Sequence, residues 1–189
     1  MLDQDLQYVV DYISQLTKVL TDTPRDVMVD IVSTVRKARE DGQRVFVFGN
    51  GGSAATASHM TCDLGKNTRV PGRPRLRIIC LNEGIPTMTA YANDEGYENV
   101  FSEPLISLAE SGDVAIAISG SGNSPNVLKG VQIAKDLELK TIGLTGFEGG
   151  KLKDMVDICL VVPSDSMEQI EDVHLIINHI LTGLLRGMN

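Results

Sequence analysis

Residues 44–53 read Arg-Val-Phe-Val-Phe-Gly-Asn-Gly-Gly-Ser, and residues 114–124 read Val-Ala-Ile-Ala-Ile-Ser-Gly-Ser-Gly-Asn-Ser. In both, a short apolar run breaks into a turn of glycine, asparagine and serine, and a helical pattern follows. Runs of this length, rich in Val and Ile and not alternating with polar residues, suit parallel strands covered on both faces. Val45–Phe48 and Val114–Ser119 are two of them; Leu76–Leu81, Thr141–Thr145 and Ile158–Val162 share the texture. Helical patterns lie between and after them, at 52–64, 83–93, 100–110, 124–137, 149–155 and 167–186. Strands alternating with helices predict an α/β fold with a doubly wound parallel sheet. The handedness of such connections restricts the strand order, and 2-1-3-4-5 is expected.

Working outward, residues 3–21 place Leu6, Val9, Val10, Ile13, Leu16, Val19 and Leu20 at helical spacing. Thr23 and Pro24 open a second helix, which ends near Asp41-Gly42. With the closing helix these make three amphipathic elements, more apolar surface than one five-stranded sheet needs. Residues 1–41 are therefore expected to serve in self-association. No repeat or linker interrupts the chain, so residues 1–189 read as one domain.

Composition narrows the function. Against 17 Lys and Arg stand 25 Asp and Glu, a net charge of −8, and no tryptophan is present. That balance argues against a nucleic-acid partner, which calls for a basic face and aromatic platforms. No apolar run is long enough to span a bilayer, and the acidic, amphipathic start is unlike a secretion signal, so a cytoplasmic protein without membrane contact is expected. Three scattered cysteines, Cys62, Cys80 and Cys159, form neither a disulfide framework nor a zinc motif.

The two glycine turns are the first candidate site. Ligands of open α/β sheets bind beyond the carboxyl ends of the strands, where strand order reverses. Gly49-Asn50-Gly51-Gly52-Ser53 and Ser119-Gly120-Ser121-Gly122-Asn123-Ser124 each run into a helix start. There, unpaired N–H groups and the positive end of the helix dipole favour an anion. Serine hydroxyls add donors without charge, so the pair forms a phosphate cradle that needs no lysine. No Gly-Lys-Ser/Thr follows, which excludes a Walker A loop. The dinucleotide fingerprint wants an acid about 20 residues on. That distance falls in the basic stretch Asn67–Arg75.

The second candidate is a set of histidines and carboxylates. His59 and Asp63 stand four apart on one helix face. On the closing helix, Glu171 and His179 are separated by about 800°, or about 80° after whole turns, and share a face. His174 lies about 60° to the other side of Glu171 and need not reach the same pocket. Two histidines and two carboxylates suit a divalent metal such as zinc, and equally suit proton transfer. A solvated polar face or a subunit contact is the plain alternative.

With these residues in view, the chain resembles the sugar isomerase (SIS) family, in its sedoheptulose 7-phosphate isomerase group. The resemblance rests on GNGGSA at 49–54, His59 with Asp63, Ala92-Asn93-Asp94 with Tyr97, ISGSGNSPNV at 118–127, LTGFEGG at 144–150 and IEDVH at 170–174. It implies a flavodoxin-like three-layer domain, assembled as a homotetramer with sites between subunits. It implies a phosphorylated sugar held by Asn50, Gly51, Gly52, Ser53, Asn93, Asp94, Ser119, Gly120, Ser121, Ser124 and Glu171. Asp63 would be the catalytic base and His179 its acid–base partner. A zinc ion, one per subunit, would fall on His59, Asp63, Glu171 and His179, and no nucleotide cofactor is implied.

Two positions depart from the group's pattern, which has Glu where Asp63 stands and Gln where Glu171 stands. The first shortens the reach by one methylene, about 1.5 Å; the second adds a negative charge beside the histidines. The expected reaction is an aldose–ketose isomerisation through an enediol, converting sedoheptulose 7-phosphate to D-glycero-D-manno-heptose 7-phosphate. Other phosphosugars, or a non-catalytic phosphosugar-binding role of the kind that associates with the bacterial replication initiator, are the alternatives. Retention of all four polar groups favours the enzyme.

Overall fold

The computed structural model describes residues 2–187. The chain opens with two helices, α1 (Leu2–Asp22) and α2 (Arg25–Glu40), before β1 (Arg44–Gly49). There follow α3 (Gly52–Cys62), β2 (Arg77–Cys80), α4 (Ile85–Asp94), α5 (Ser102–Leu108), β3 (Val114–Ile118), α6 (Pro125–Asp136), β4 (Lys140–Thr145), α7 (Leu152–Met155), β5 (Ile158–Val161) and α8 (Met167–Arg186). The five strands are all parallel in the order β2-β1-β3-β4-β5, as expected.

Period-two alternation along the strands divides the core. Val45, Val47, Val114, Ile116 and Ile118 join the cluster under α2, α3 and α8, while Phe46, Phe48, Ala115 and Ala117 join the one under α5 and α6. Both faces are thereby covered, which is why these strands lack polar alternation. Register pairs Gly49 of β1 with Ile118 of β3, so the two glycine turns leave neighbouring strands at the same height. Between β1 and β3 the order reverses, and ligands of such sheets bind at that crevice.

Two elements differ from the sequence reading. The helical pattern over 52–64 stops as α-helix at Cys62 and widens into a π turn, Asp63–Asn67. The pattern over 149–155 shortens to α7, because Gly149 and Gly150 take φ of 95° and 55°. Helix α1 buries little of itself: Val19 is in the core, whereas Leu6, Val9, Val10 and Ile13 are exposed. It is tied to α8 by Tyr12, whose hydroxyl donates to Asp172 Oδ2 at 2.5 Å; that bond pushes the phenol up to about 12. No helix is long and apolar enough to cross a membrane among the described residues.

Candidate active site

The two turns close on one cavity of 230 Å³, lined by Asn50, Gly51, Gly52, Ser53, Ile118, Ser119, Gly120, Ser121, Ser124, Met167 and Glu171. All four expected hydroxyls are among them, and no lysine or arginine is. Ser119 and Ser124 stand 3.3 Å apart, hydroxyl to hydroxyl, across the second turn. Helix α6 starts there with Ser124 as cap and Pro125 in the first turn, as the sequence required. Gly122 has φ of +64°, and a β-carbon there would collide with the backbone carbonyl of Gly149. The second turn and the β4–α7 turn therefore pack backbone to backbone, with Leu152 N–H donating to the Gly122 carbonyl at 3.0 Å.

Asparagines hold the two turns in register, and the sequence reading missed most of this. Asn50 and Asn126 exchange side-chain bonds of 2.8 and 2.9 Å, and Tyr97 donates to Asn50 Oδ1 at 3.1 Å. Asn126 also accepts from its neighbour's Val127 N–H at 3.0 Å. Asn82 brackets Gly49 by bonding both its N–H and its carbonyl. Asn126 follows the serine-glycine turn by two residues, and its burial at 2% exposure is the signal that a sequence does not display.

Asn93 and Asp94 lie elsewhere within the single chain. At the end of α4, the Asn93 amide donates to Asp94 at 2.7 Å, both exposed. Asp94 faces a separate hollow beside Pro86, Thr87 and Tyr91. The structure thus does not bring these two to the cradle; Tyr97, three residues on, makes the contact instead.

Farther along α3 and α8, with both imidazoles exposed, stands the second group. His59 Nε2 is 3.3 Å from Asp63 Oδ2, His179 Nε2 is 3.6 Å from the same oxygen, and the two imidazole nitrogens are 3.4 Å apart. Donors bound at about 2.0–2.1 Å to a tetrahedral divalent cation stand about 3.3–3.4 Å from one another. The three groups therefore fit such an ion, and are the set that offers one among the described residues. Asp63 is buried and held by amides on both oxygens: Asn67 donates to Oδ1 and Asn178 to Oδ2, each at 3.0 Å.

Glu171 is not brought into this trio. Its carboxylate lies against Gly52, so close that a β-carbon there would overlap it, and it forms part of the cradle wall. Two turns of α8 separate it from His179 along the axis, about 12 Å. Glu171 is thus placed as a cradle residue, while its expected ligand position is not seen. His174 points inward: its Nε2 is 3.2 Å from the Thr145 carbonyl, which only accepts, so that nitrogen carries the proton. Burial pushes its imidazole down to about 4. Burial likewise pushes Cys159 up to about 11 and raises Cys80, so neither thiol is primed as a nucleophile.

A parallel sheet with two glycine–serine turns at its switch point and an imidazole–carboxylate group on the same helices defines the class. The SIS domain family matches residues 7–146, and the chain belongs to it. Within it, the chain is similar to phosphoheptose isomerases. A phosphoheptose isomerase of Helicobacter pylori is 45% identical over 142 residues, 75% of this chain and 73% of that protein. The solved phosphoheptose isomerase of Francisella tularensis is 33% identical with a TM-score of 0.90, covering 99% of this chain and 98% of its own. Phosphoheptose isomerase GmhA from Neisseria gonorrhoeae, 26% identical, superposes over 100% of both chains with a TM-score of 0.91.

Proposed function

We propose that this protein is a phosphoheptose isomerase, an aldose–ketose isomerase that interconverts sedoheptulose 7-phosphate and D-glycero-D-manno-heptose 7-phosphate. The observation that carries the reading is the presence, on the same two helices α3 and α8, of a cradle wall free of lysine and arginine and of an imidazole–carboxylate group. The names of the relatives supply the seven-carbon substrate. Ser53, Ser119, Ser121 and Ser124, with the backbone of Gly51, Gly52 and Gly120, bind the phosphate. Asn50 orients the chain of the sugar, and Asn93 and Asp94 reach a substrate from a neighbouring subunit. Binding energy at this remote group then serves to align the reacting carbons.

Asp63 acts as the base. It takes the proton from C1 of the ketose, the C1–H pair becomes the C1–C2 double bond of an enediol, and the proton returns at C2. His179 moves a proton between the two oxygens, giving to O2 as the carbonyl becomes a hydroxyl and taking from O1 as the aldehyde forms. His59, Asp63 and His179 would hold a zinc ion, which would supply Lewis-acid chemistry for the carbonyl, while Glu171 stays in the cradle wall.

The exposed apolar stripe of α1 supports a homotetramer, with residues 1–41 as its association segment. The cytoplasm is the proposed compartment, where phosphorylated sugars are made and used. Incubation with sedoheptulose 7-phosphate should yield an aldoheptose phosphate, detected by a coupled assay. A panel of C5–C7 ketose phosphates on which only another sugar turns over would replace this substrate.

A further inference from the structure

We propose that Asn178 is a positioning residue, retained in the core at a cost in stability, that aims the Asp63 carboxylate at His59 and His179. The proposal deepens the isomerase reading above and rests on it. Asn178 is wholly buried on the inner face of α8, at 0% exposure. Its Nδ2 donates to Asp63 Oδ2, while its Oδ1 has no partner among the described residues. A buried acceptor left without a partner is unfavourable, and a leucine of nearly the same shape would remove that penalty. What the amide provides in return is directed wholly at Asp63.

The geometry shows the use. Asn67, on the π turn, occupies Oδ1, and Asn178 occupies one side of Oδ2. The remaining side of Oδ2 is then left to the two imidazoles at 3.3 and 3.6 Å. Asn178 and His179 are adjacent on α8, about 100° apart around the axis, so one helix reaches the same carboxylate from its buried and its open side. An aspartate has a short lever, and an error of about 1 Å in a reacting group is enough to cost about 100-fold. Clamping both oxygens removes that freedom.

The neighbouring turns provide an internal control. His174 Nδ1 and Thr182 Oγ1, four residues to either side of Asn178, are also buried without partners. Thr182 makes no recorded bond to Asp63, so Thr182→Val removes a similar penalty without touching the trio.

The test compares Asn178→Leu, Asn67→Ala and Thr182→Val with the wild-type chain. Thermal midpoint, zinc affinity by competition with a chromophoric chelator, and kcat and KM for sedoheptulose 7-phosphate are measured. Asn178→Leu relieves the unpaired acceptor but takes a donor from a buried carboxylate, so its midpoint should move by no more than about 2–4 °C. Its zinc affinity and kcat should each fall by about 10–100-fold, with KM unchanged because the cradle is intact. Asn67→Ala, at an exposed position, should show the same pattern more weakly, and keeps the test decisive if the leucine variant fails to fold. Thr182→Val should leave kcat, KM and zinc affinity as they are. Undiminished kcat and zinc affinity in both asparagine variants would overturn the proposal. So would losses that merely track a lowered midpoint. A wild-type chain that turns over no heptose phosphate defeats the substrate reading instead, and chelator competition then decides the role of Asn178 alone.

Discussion

On the proposed mechanism the proton transfer falls to Asp63, one buried carboxylate between two imidazoles. Asp63→Asn keeps its shape but cannot accept the C1 proton. Turnover should fall by about 10²–10⁴-fold with KM for the sugar phosphate little changed, read from initial rates. Glu171 presents the opposite case. Its carboxylate lines the cavity proposed to receive the phosphate, against the backbone of Gly52, where it would oppose a dianion. Glu171→Gln should tighten inorganic phosphate by about tenfold, or about 1.4 kcal/mol, measured by calorimetry without added metal. Unchanged phosphate affinity would place that carboxylate outside the binding locus.

At the scale of elements, the site depends on α6, α8 and the strand ends keeping their spacing. Asn126 joins the two turns through its reciprocal bonds to Asn50 and is itself 2% exposed. Asn126→Ala should cost about 1–3 kcal/mol in denaturant unfolding and should raise KM, because the turns lose their tie. His174 ties α8 to the end of β4 through the Thr145 carbonyl. Its folded value of about 4 lies below the ordinary 6.5. The unfolded chain therefore binds the extra proton between those values. Stability is complete above about pH 6.5 and declines as pH falls towards 4, by up to about 3 kcal/mol from this group. Urea midpoints across that range should slope more steeply in the wild type than in His174→Gln.

The same elements mark what could be read from residues alone. Strand order, the paired turns and the serine hydroxyls follow from apolar runs and glycine punctuation, which are local properties. His59 and Asp63 follow from helical spacing, and His179 falls on the correct face of α8. Asn126, Asn178 and Asn67 were not legible, because their roles arise from burial and from partners far along the chain. The π turn escaped notice for a similar reason: its wider backbone leaves the apolar pattern nearly unchanged while it carries Asn67 to Asp63. Glu171 shares a helix face with His179, yet a shared face says nothing about axial separation, and the cradle claims it first.

For the whole molecule, acidity and the proposed anion binding are reconciled by the kind of donor used. A chain of net charge −8 lines this cavity with hydroxyls, backbone and one carboxylate, Glu171, and with no lysine or arginine. Helix α1 leaves Leu6, Val9, Val10 and Ile13 exposed as one apolar stripe, the kind of surface that marks an interaction face. Sedimentation at micromolar concentration should give a tetramer, and Val10→Asp with Ile13→Asp should lower both the association state and turnover. A monomeric chain with full activity would remove the shared site. The most direct measurement is conversion of sedoheptulose 7-phosphate by the wild-type chain and by Asp63→Asn, each with and without a chelator. The prediction is formation of aldoheptose phosphate by the wild type, reduced by chelation and restored by zinc, with Asp63→Asn nearly inert throughout. Unimpaired conversion by Asp63→Asn, or none by the wild type with zinc supplied, would contradict it.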